Sequence, residues 1–289
     1  MADYPDDLRL LVDAYLAELS YSPRPETAGL EEAMRYSLLA GGKRIRPVLC
    51  LATTRALGLD PVRLLPTAAA IELIHTYSLI HDDLPAMDDD ALRRGRPTSH
   101  VAHGEDVAIL AGDALFAEAI RLVAKCQEGE PERVLAAICE IAAATGVDGM
   151  VGGQYVDIVG AGGDPASLEL LHALKTGRLI SASVCAALVL AGVGEEAEAP
   201  YRRFAIELGL LFQIVDDILD VTGSDEQLGK PSGSDERHGK LTYVSLHGLE
   251  RARGLAAEAR DRARDALDTA GGDTAALTAI TDFIYTRQS

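Results

Sequence analysis

Apolar residues recur along this chain at intervals of three and four, the period of a helix packed on one side. Between Asp6 and Leu19 the pattern puts Leu10, Leu11, Ala14 and Leu19 on one broad face. The same period predicts helices over 26–39, 45–58, 66–83, 106–124, 131–145, 167–191, 199–220, 243–268 and 273–286. Alternating β-branched runs are absent, so no strand is expected. The breaks fall on Gly or Pro: Gly41-Gly42, Gly58 to Pro61, Pro85, Gly160 to Pro165, Gly192 to Gly194 and Gly271-Gly272. No composition shift or fixed-period repeat divides the chain. The expectation is an all-α fold, one large domain over residues 1–289. The stretches 68–80, 181–191 and 205–219 are apolar nearly all round, which suits central helices sheathed by others.

Two connections stand out against this pattern. Residues 84–105 are rich in Asp, Arg and Pro, and residues 222–240 form a polar, Gly-rich stretch between helices. A loop that long inside a compact domain is expected to be either a functional lid or disordered.

Composition narrows the class. The chain has 289 residues, 48% hydrophobic and 25% charged, enough to bury a substantial core. Its net charge of −18 argues against nucleic acid or an anionic membrane as a general partner. The acidic, amphipathic start MADYPDDLRLLVDAYLAEL is neither a signal peptide nor a basic transit peptide. No apolar run approaches the ~18 residues of a membrane span. The four cysteines, Cys50, Cys126, Cys139 and Cys185, form no Cys-x-x-Cys pair. A cytoplasmic, reducing location is the expectation.

Candidate chemistry concentrates in two acidic clusters. IHDDLPAMDDDALRRGRP carries Asp82, Asp83, Asp88, Asp89 and Asp90 directly after an apolar helix, and LFQIVDDILDVTG carries Asp216, Asp217 and Asp220 at the end of another. Asp216 and Asp220 are i and i+4, so they face the same way, and such like-charge pairs cost roughly 0.2–0.5 kcal/mol each on an exposed helix. Negative charge near a helix C-terminus also opposes the helix dipole. Two helices with the same electrostatic defect call for a compensating cation. Oxygen-only clusters suit hard ions, and Mg²⁺ typically takes one or two carboxylates plus phosphates and waters.

Basic residues sit close by. Arg93, Arg94 and Arg96 follow the first cluster, and Gly41-Gly42-Lys43-Arg44-Ile45-Arg46-Pro47 leads from a glycine break into a helix, where phosphate binds readily. The chain has five lysines against 22 arginines, and Lys43, Lys175, Lys230 and Lys240 all adjoin other candidate site residues. GxxxxGK[ST] is absent, so ATP hydrolysis is not implied.

In order, GGKRIRP, HTYSLIHDDLPAMDDDALRRGRPTSH, GGQYVDI, LKTGRLI, GLLFQIVDDILDVTG, LGK and GKLTY resemble the trans-isoprenyl diphosphate synthases, closest to the bacterial farnesyl diphosphate synthases. The resemblance runs from about residue 30 to the C-terminus. It implies helices around a deep central cavity, usually as a homodimer, joining isopentenyl diphosphate to allylic diphosphates. It implies three Mg²⁺ ions with Asp82, Asp88 and Asp216 as direct ligands, and Asp83, Asp217 and Asp220 acting through waters or neighbouring groups. Arg93, Lys175, Thr176, Gln213, Lys230 and Lys240 would bind the allylic diphosphate. Lys43, Arg46, His75 and Arg94 would hold the isopentenyl diphosphate. Asp82, Asp216, Lys175, Thr176 and Gln213 would carry the catalysis. Two departures are Val244, where the family often has Pro, and an ending, Arg287-Gln288-Ser289, that lacks a strongly basic tail and puts any tail contribution in doubt.

Product length follows from the helix before Asp82. Tyr77 precedes it by five residues, about 7.5 Å along the axis, while Ser78 is small. A bulky residue at 77 with four residues between Asp83 and Asp88 resembles farnesyl synthases, so farnesyl diphosphate is the expected product and geranylgeranyl or geranyl diphosphate the alternative. A terpene cyclase would not need a second diphosphate site. A non-catalytic partner subunit would show degraded Asp motifs, and both are intact here. A di-iron bundle remains as a remote reading through Glu72-x-x-His75 and Glu169-x-x-His172.

Overall fold

The computed structural model describes residues 4–160, 164–223 and 241–287. Residues 224–240 of the expected lid, with Lys230 and Lys240, lie outside the described residues.

Helix α4 (Leu65–Asp82) is the axis of the molecule. Twelve of its residues are buried, including Ile71, Leu73 and Ile74 with no exposed surface. Each such side chain gains about 1.5–3 kcal/mol from burial. Around α4 pack α1 (Asp6–Glu18), α2 (Ala28–Leu38), α3 (Ile45–Ala56), α6 (Glu105–Cys126) and α10 (Arg178–Ala191). The short α5 (Ser99–His103) leads into α6, and α7 (Pro131–Thr145) packs on α10. A second layer joins α11 (Glu195–Thr222) to α13 (Leu249–Asp268), whose buried Ala252, Ala256, Ala259, Ala263 and Ala266 recur at helical spacing. Small side chains on that stripe let the two helices approach closely. The chain closes with α12 (Tyr243–His247) and α14 (Ala275–Thr286).

The periodic reading placed most helices within a few residues. Three differences matter. Residues 167–191 are not one regular helix: α9 (Pro165–His172) passes through a π-helical turn, Ala173–Gly177, before α10. Helix α8 (Met150–Val159) was hidden by its two glycines. A two-residue antiparallel hairpin, Leu92–Arg93 with Arg96–Pro97, closes the Arg-rich connection where no strand was expected.

Two helical stretches, Pro131–Val159 and Pro165–Ala191, are long and apolar enough by composition to cross a membrane. No run of that length was expected. In the second stretch α10 packs on α3, α7 and α11, as a core helix does. The first contributes exposed apolar residues, among them Val147, Val151 and Ile158.

Candidate active site

Helices α4 and α11 end at one cavity of about 320 Å³, lined by Asp82, Asp88, Asp216, Asp217 and Asp220 together with Arg93, Lys175, Thr176 and Gln213. The two acidic clusters therefore converge.

The spacing of the first cluster is made by a turn. Beyond α4 the backbone folds back, with Asp88 N–H donating to the Asp82 carbonyl at 2.9 Å and Met87 N–H to that of Leu84 at 2.8 Å. Asp89 takes a left-handed φ of 53° in completing it. The four residues between the aspartate pairs thus return Asp88 to the side of Asp82. Burial raises the Asp82 carboxyl to about 6; Lys175 opposes this and the charge of Asp88 adds to it. Asp83, one residue on, is turned away. Only 3% exposed, it lines a separate pocket of about 40 Å³ and accepts from Arg93 Nε at 2.8 and 2.9 Å. A rotation of about 100° per residue turns Asp83 away from Asp82, so of the expected indirect roles the geometry gives it one through a neighbouring group, Arg93. Its work is to fix Arg93, which reaches both cavities.

The π turn explains the second group. An extra residue in a helical turn re-aims its neighbours, and Lys175 and Thr176 both line the cavity. Lys175 Nζ meets Asp157 Oδ2 of α8 at 2.6 Å. Helix α8 comes this close because position 153 is glycine; a Cβ there would lie 2.3 Å from Lys175 N. Thr176 Oγ1 donates to Gln213 Oε1 at 2.9 Å, and Gln213 Nε2 donates to Asp217 Oδ1 at 2.8 Å. The other Asp217 oxygen accepts from Tyr243 N–H at 2.7 Å, at the start of α12, which Thr242 and Ser245 cap reciprocally. Asp217 is 1% exposed, so this chain of donors compensates a buried charge. His172 stands 3.8 Å away, and burial lowers it to about 4, leaving it neutral at pH 7.

The basic residues of GGKRIRP divide by direction. Arg44, at φ 54°, turns inward to Glu72 at 2.7 Å and Asp13 at 2.9 Å. Arg46 and His75 line a second cavity of about 390 Å³ that shares Asp82, Lys175 and Thr176 with the first. Arg46 Nη1 lies 3.5 Å from His75 Nε2, and burial beside arginines holds His75 well below its ordinary value. A neutral ring can accept from the guanidinium. Lys43 is exposed over the Phe283 ring, and Arg94 donates to the Gly41 carbonyl. Tyr77 and Ser78 both line the second cavity, beside Met150, Tyr155 and Ile158 of α8.

Sequence reasoning missed Arg287. Its guanidinium lies 4.2 Å from the Phe212 ring centroid and 3.0 Å from Asp216 Oδ1, so the C-terminal segment does reach the site. A lone terminal Arg carries no spacing signal. Asp157 was also missed as a partner of Lys175, although the GGQYVDI motif had marked it out. The di-iron reading falls: Glu72 pairs with Arg44, His75 adjoins Arg46, and Glu169 is exposed beside a different helix.

The acidic set is all oxygen. Among the described residues no group of three His, Cys, Asp or Glu side chains forms a metal shell by itself. The oxygen donors themselves suit a hard ion such as Mg²⁺, which completes its shell with phosphate and water.

Residues 27–282 match the polyprenyl synthetase model. The chain belongs to the polyprenyl synthetase family. It is a prenyltransferase of the isoprenoid synthase fold. A geranylgeranyl pyrophosphate synthase of Capsicum annuum is 48% identical over 265 residues, 90% of this chain and 72% of that protein. The apo structure of an FPP/GFPP synthase from Zymomonas mobilis aligns with a TM-score of 0.86 at 36% identity, covering 97% of each chain. A geranyltransferase from Helicobacter pylori, complexed with magnesium and isoprenyl diphosphate, aligns at 0.83 and 33% identity over 98% of this chain and 97% of that one.

Proposed function

We infer that this polyprenyl synthetase condenses isopentenyl diphosphate with allylic diphosphates and releases geranylgeranyl diphosphate as its main product. The observation that carries the reaction is the meeting of both aspartate motifs and Lys175 on one cavity. The twenty-carbon product is supported by the Capsicum relative at 48% identity. It replaces the farnesyl expectation, which rested on the bulk of Tyr77. That ring is 9% exposed and packs edge-on against Phe116 of α6, so it forms a wall, and the cavity it lines also reaches Tyr155 and Ile158.

Bound Mg²⁺ would supply positive charge to the departing diphosphate, held by Asp82, Asp88 and Asp216. Lys175, Arg93, Thr176 and Gln213 would grip the allylic diphosphate, with Lys175 kept in place by Asp157. Ionisation of the allylic C–O bond leaves a cation that the isopentenyl double bond attacks, and proton loss restores an alkene. Such charge development is where pre-aimed donors are most effective. Arg46, His75, Lys43 and Arg94, with Arg287, would hold the isopentenyl diphosphate. The second cavity, largely apolar, would take the growing tail. A homodimer would seat on exposed apolar residues of α6 and α8, among them Ile109, Leu110, Val151 and Ile158; sedimentation velocity tests it.

Incubation with labelled isopentenyl diphosphate and each allylic starter, with and without Mg²⁺, followed by chain-length analysis, decides the reading. A twenty-carbon product dependent on Mg²⁺ is expected. A fifteen-carbon endpoint from every starter removes the product assignment.

A further inference from the structure

Helices α4 and α6 meet along the wall of the apolar cavity in two rungs. In the lower rung Tyr77 packs edge-on against Phe116, ring centroids 5.5 Å apart. Four residues along each helix lies the upper rung, His81 against Gly112. A rise of four residues separates the rungs by about 6 Å, comparable to the roughly 5 Å spanned by the four-carbon backbone of one five-carbon unit at ordinary bond lengths.

The upper rung is an unusual fit. The His81 imidazole lies edge-in against α6, with Nε2 3.1 Å from the Ile109 carbonyl oxygen. A Cβ at Gly112 would sit 2.1 Å from that nitrogen and 2.5 Å from Cδ2, where no methyl group fits. The ring therefore occupies a notch that exists because residue 112 is glycine. His81 also lines the apolar cavity and packs edge-on against Tyr77 at 5.7 Å. The cavity that the ring lines lies beside the notch, one rung above Tyr77 and next to Asp82, and a ring expelled from the notch can turn into it.

We propose that His81, parked in the notch of Gly112, is a specificity-determining residue that sets how far the growing chain passes toward Tyr77 and Phe116. The proposal rests on reading this cavity as the channel of the prenyl chain. The side chains act by shape: the notch holds the imidazole back against the channel wall, and a displaced ring would narrow the way to the lower rung.

The test is product chain length in three variants, made from dimethylallyl and labelled isopentenyl diphosphates. Gly112→Ala is expected to shorten the product by one unit, changing the ratio of the two leading products by roughly tenfold or more, the scale on which one methylene misfit in an apolar pocket discriminates. His81 lines the channel even when parked, so His81→Ala opens the emptied notch to the growing chain and is expected to lengthen the product. The double variant is expected to abolish the shortening, because the methyl group then has no ring to displace. A merely structural packing role would change melting temperature without these opposite shifts. Unchanged length in His81→Ala, or a double variant as short as Gly112→Ala, overturns the proposal; should Gly112→Ala fail to fold, His81→Ala alone decides. A wild type that stops at fifteen carbons would remove the twenty-carbon assignment yet leave the gauge readable from the opposite shifts, whereas no elongation at all would overturn both.

Discussion

The mouth of the active site and its floor share helix α4 and were built by different physics. At the mouth, Asp82, Asp88, Asp216 and Lys175 gather charge on one cavity, where burial penalises Asp82 and a bound cation would offset that cost. At the floor, Tyr77, Phe116, His81 and Gly112 satisfy one another by shape. The mouth is frustrated and waits for ligand, while the floor is complete and constrains it. Substitutions should therefore separate: changes at the mouth should alter rate and metal dependence, and changes at the floor should alter product.

The largest effect belongs to the carboxylates. Asp82→Ala and Asp216→Ala are each expected to reduce kcat by about a thousandfold, the upper range for losing one electrostatic contact in a preorganised site. Product length should be unchanged in the residual activity. Steady-state kinetics with chain-length analysis checks both halves; a comparable loss of rate from a floor variant would erase the distinction.

Next comes the relay behind the mouth. Gln213→Leu would strip a partner from Thr176 and another from the buried Asp217 carboxylate. Loss of about 10–100-fold in Mg²⁺-dependent turnover is expected, as for other groups that orient metal-binding residues. Titration of activity against Mg²⁺ should show a weakened half-saturation; a normal Mg²⁺ curve would make Gln213 a purely structural link.

The mouth also has a pH signature that the floor lacks. Burial raises Asp82 from 3.8 to about 6, so its protonated form is favoured on folding. The stability this group contributes is complete below about 3.8 and is lost as pH rises through about 6. The metal-free protein should accordingly lose stability on going from below pH 4 to above pH 6, and Asp82→Asn should flatten that part of the profile. Mg²⁺ affinity has the opposite sense, falling by about tenfold per pH unit below 6 as the ligand takes up a proton. Calorimetry with and without Mg²⁺ measures both, and an Asp82→Asn protein with the wild-type profile would assign the dependence elsewhere.

This division also explains what the sequence disclosed. The aspartate motifs and GGKRIRP are short, charged and contiguous, so their chemistry could be read before any fold was known. The neighbouring group through which Asp83 acts, Arg93, could not be named in advance, because the pairing depends on how the helix end turns the doublet in two directions. The π turn that re-aims Lys175 and Thr176 leaves no mark in hydrophobic period, and α8 was masked by the glycines that admit it against Lys175. Arg287 reaches Asp216 across 71 residues, and His81 finds its notch 31 residues away. Such pairings between distant positions belong to packing, which no local pattern records.

The smallest effect on rate, and the sharpest on product, is expected at Tyr77. The ring is 9% exposed and wedged between His81 and Phe116, so Tyr77→Ala removes a wall of the channel and leaves a cavity. Truncating a large buried aromatic typically costs about 3–5 kcal/mol, and collapse of the site around the gap lowers that cost. Two outcomes then compete. If Phe116 and His81 hold their places, the chain grows into the gap and products beyond twenty carbons accumulate while the first condensation proceeds almost normally. If they relax inward, stability falls and product length stays the same. The interlocked geometry favours the first, because the notch at Gly112 fixes His81 independently of Tyr77. Chain-length analysis beside a thermal melt distinguishes them: a destabilised enzyme with an unchanged product would show that the floor lies deeper than Tyr77.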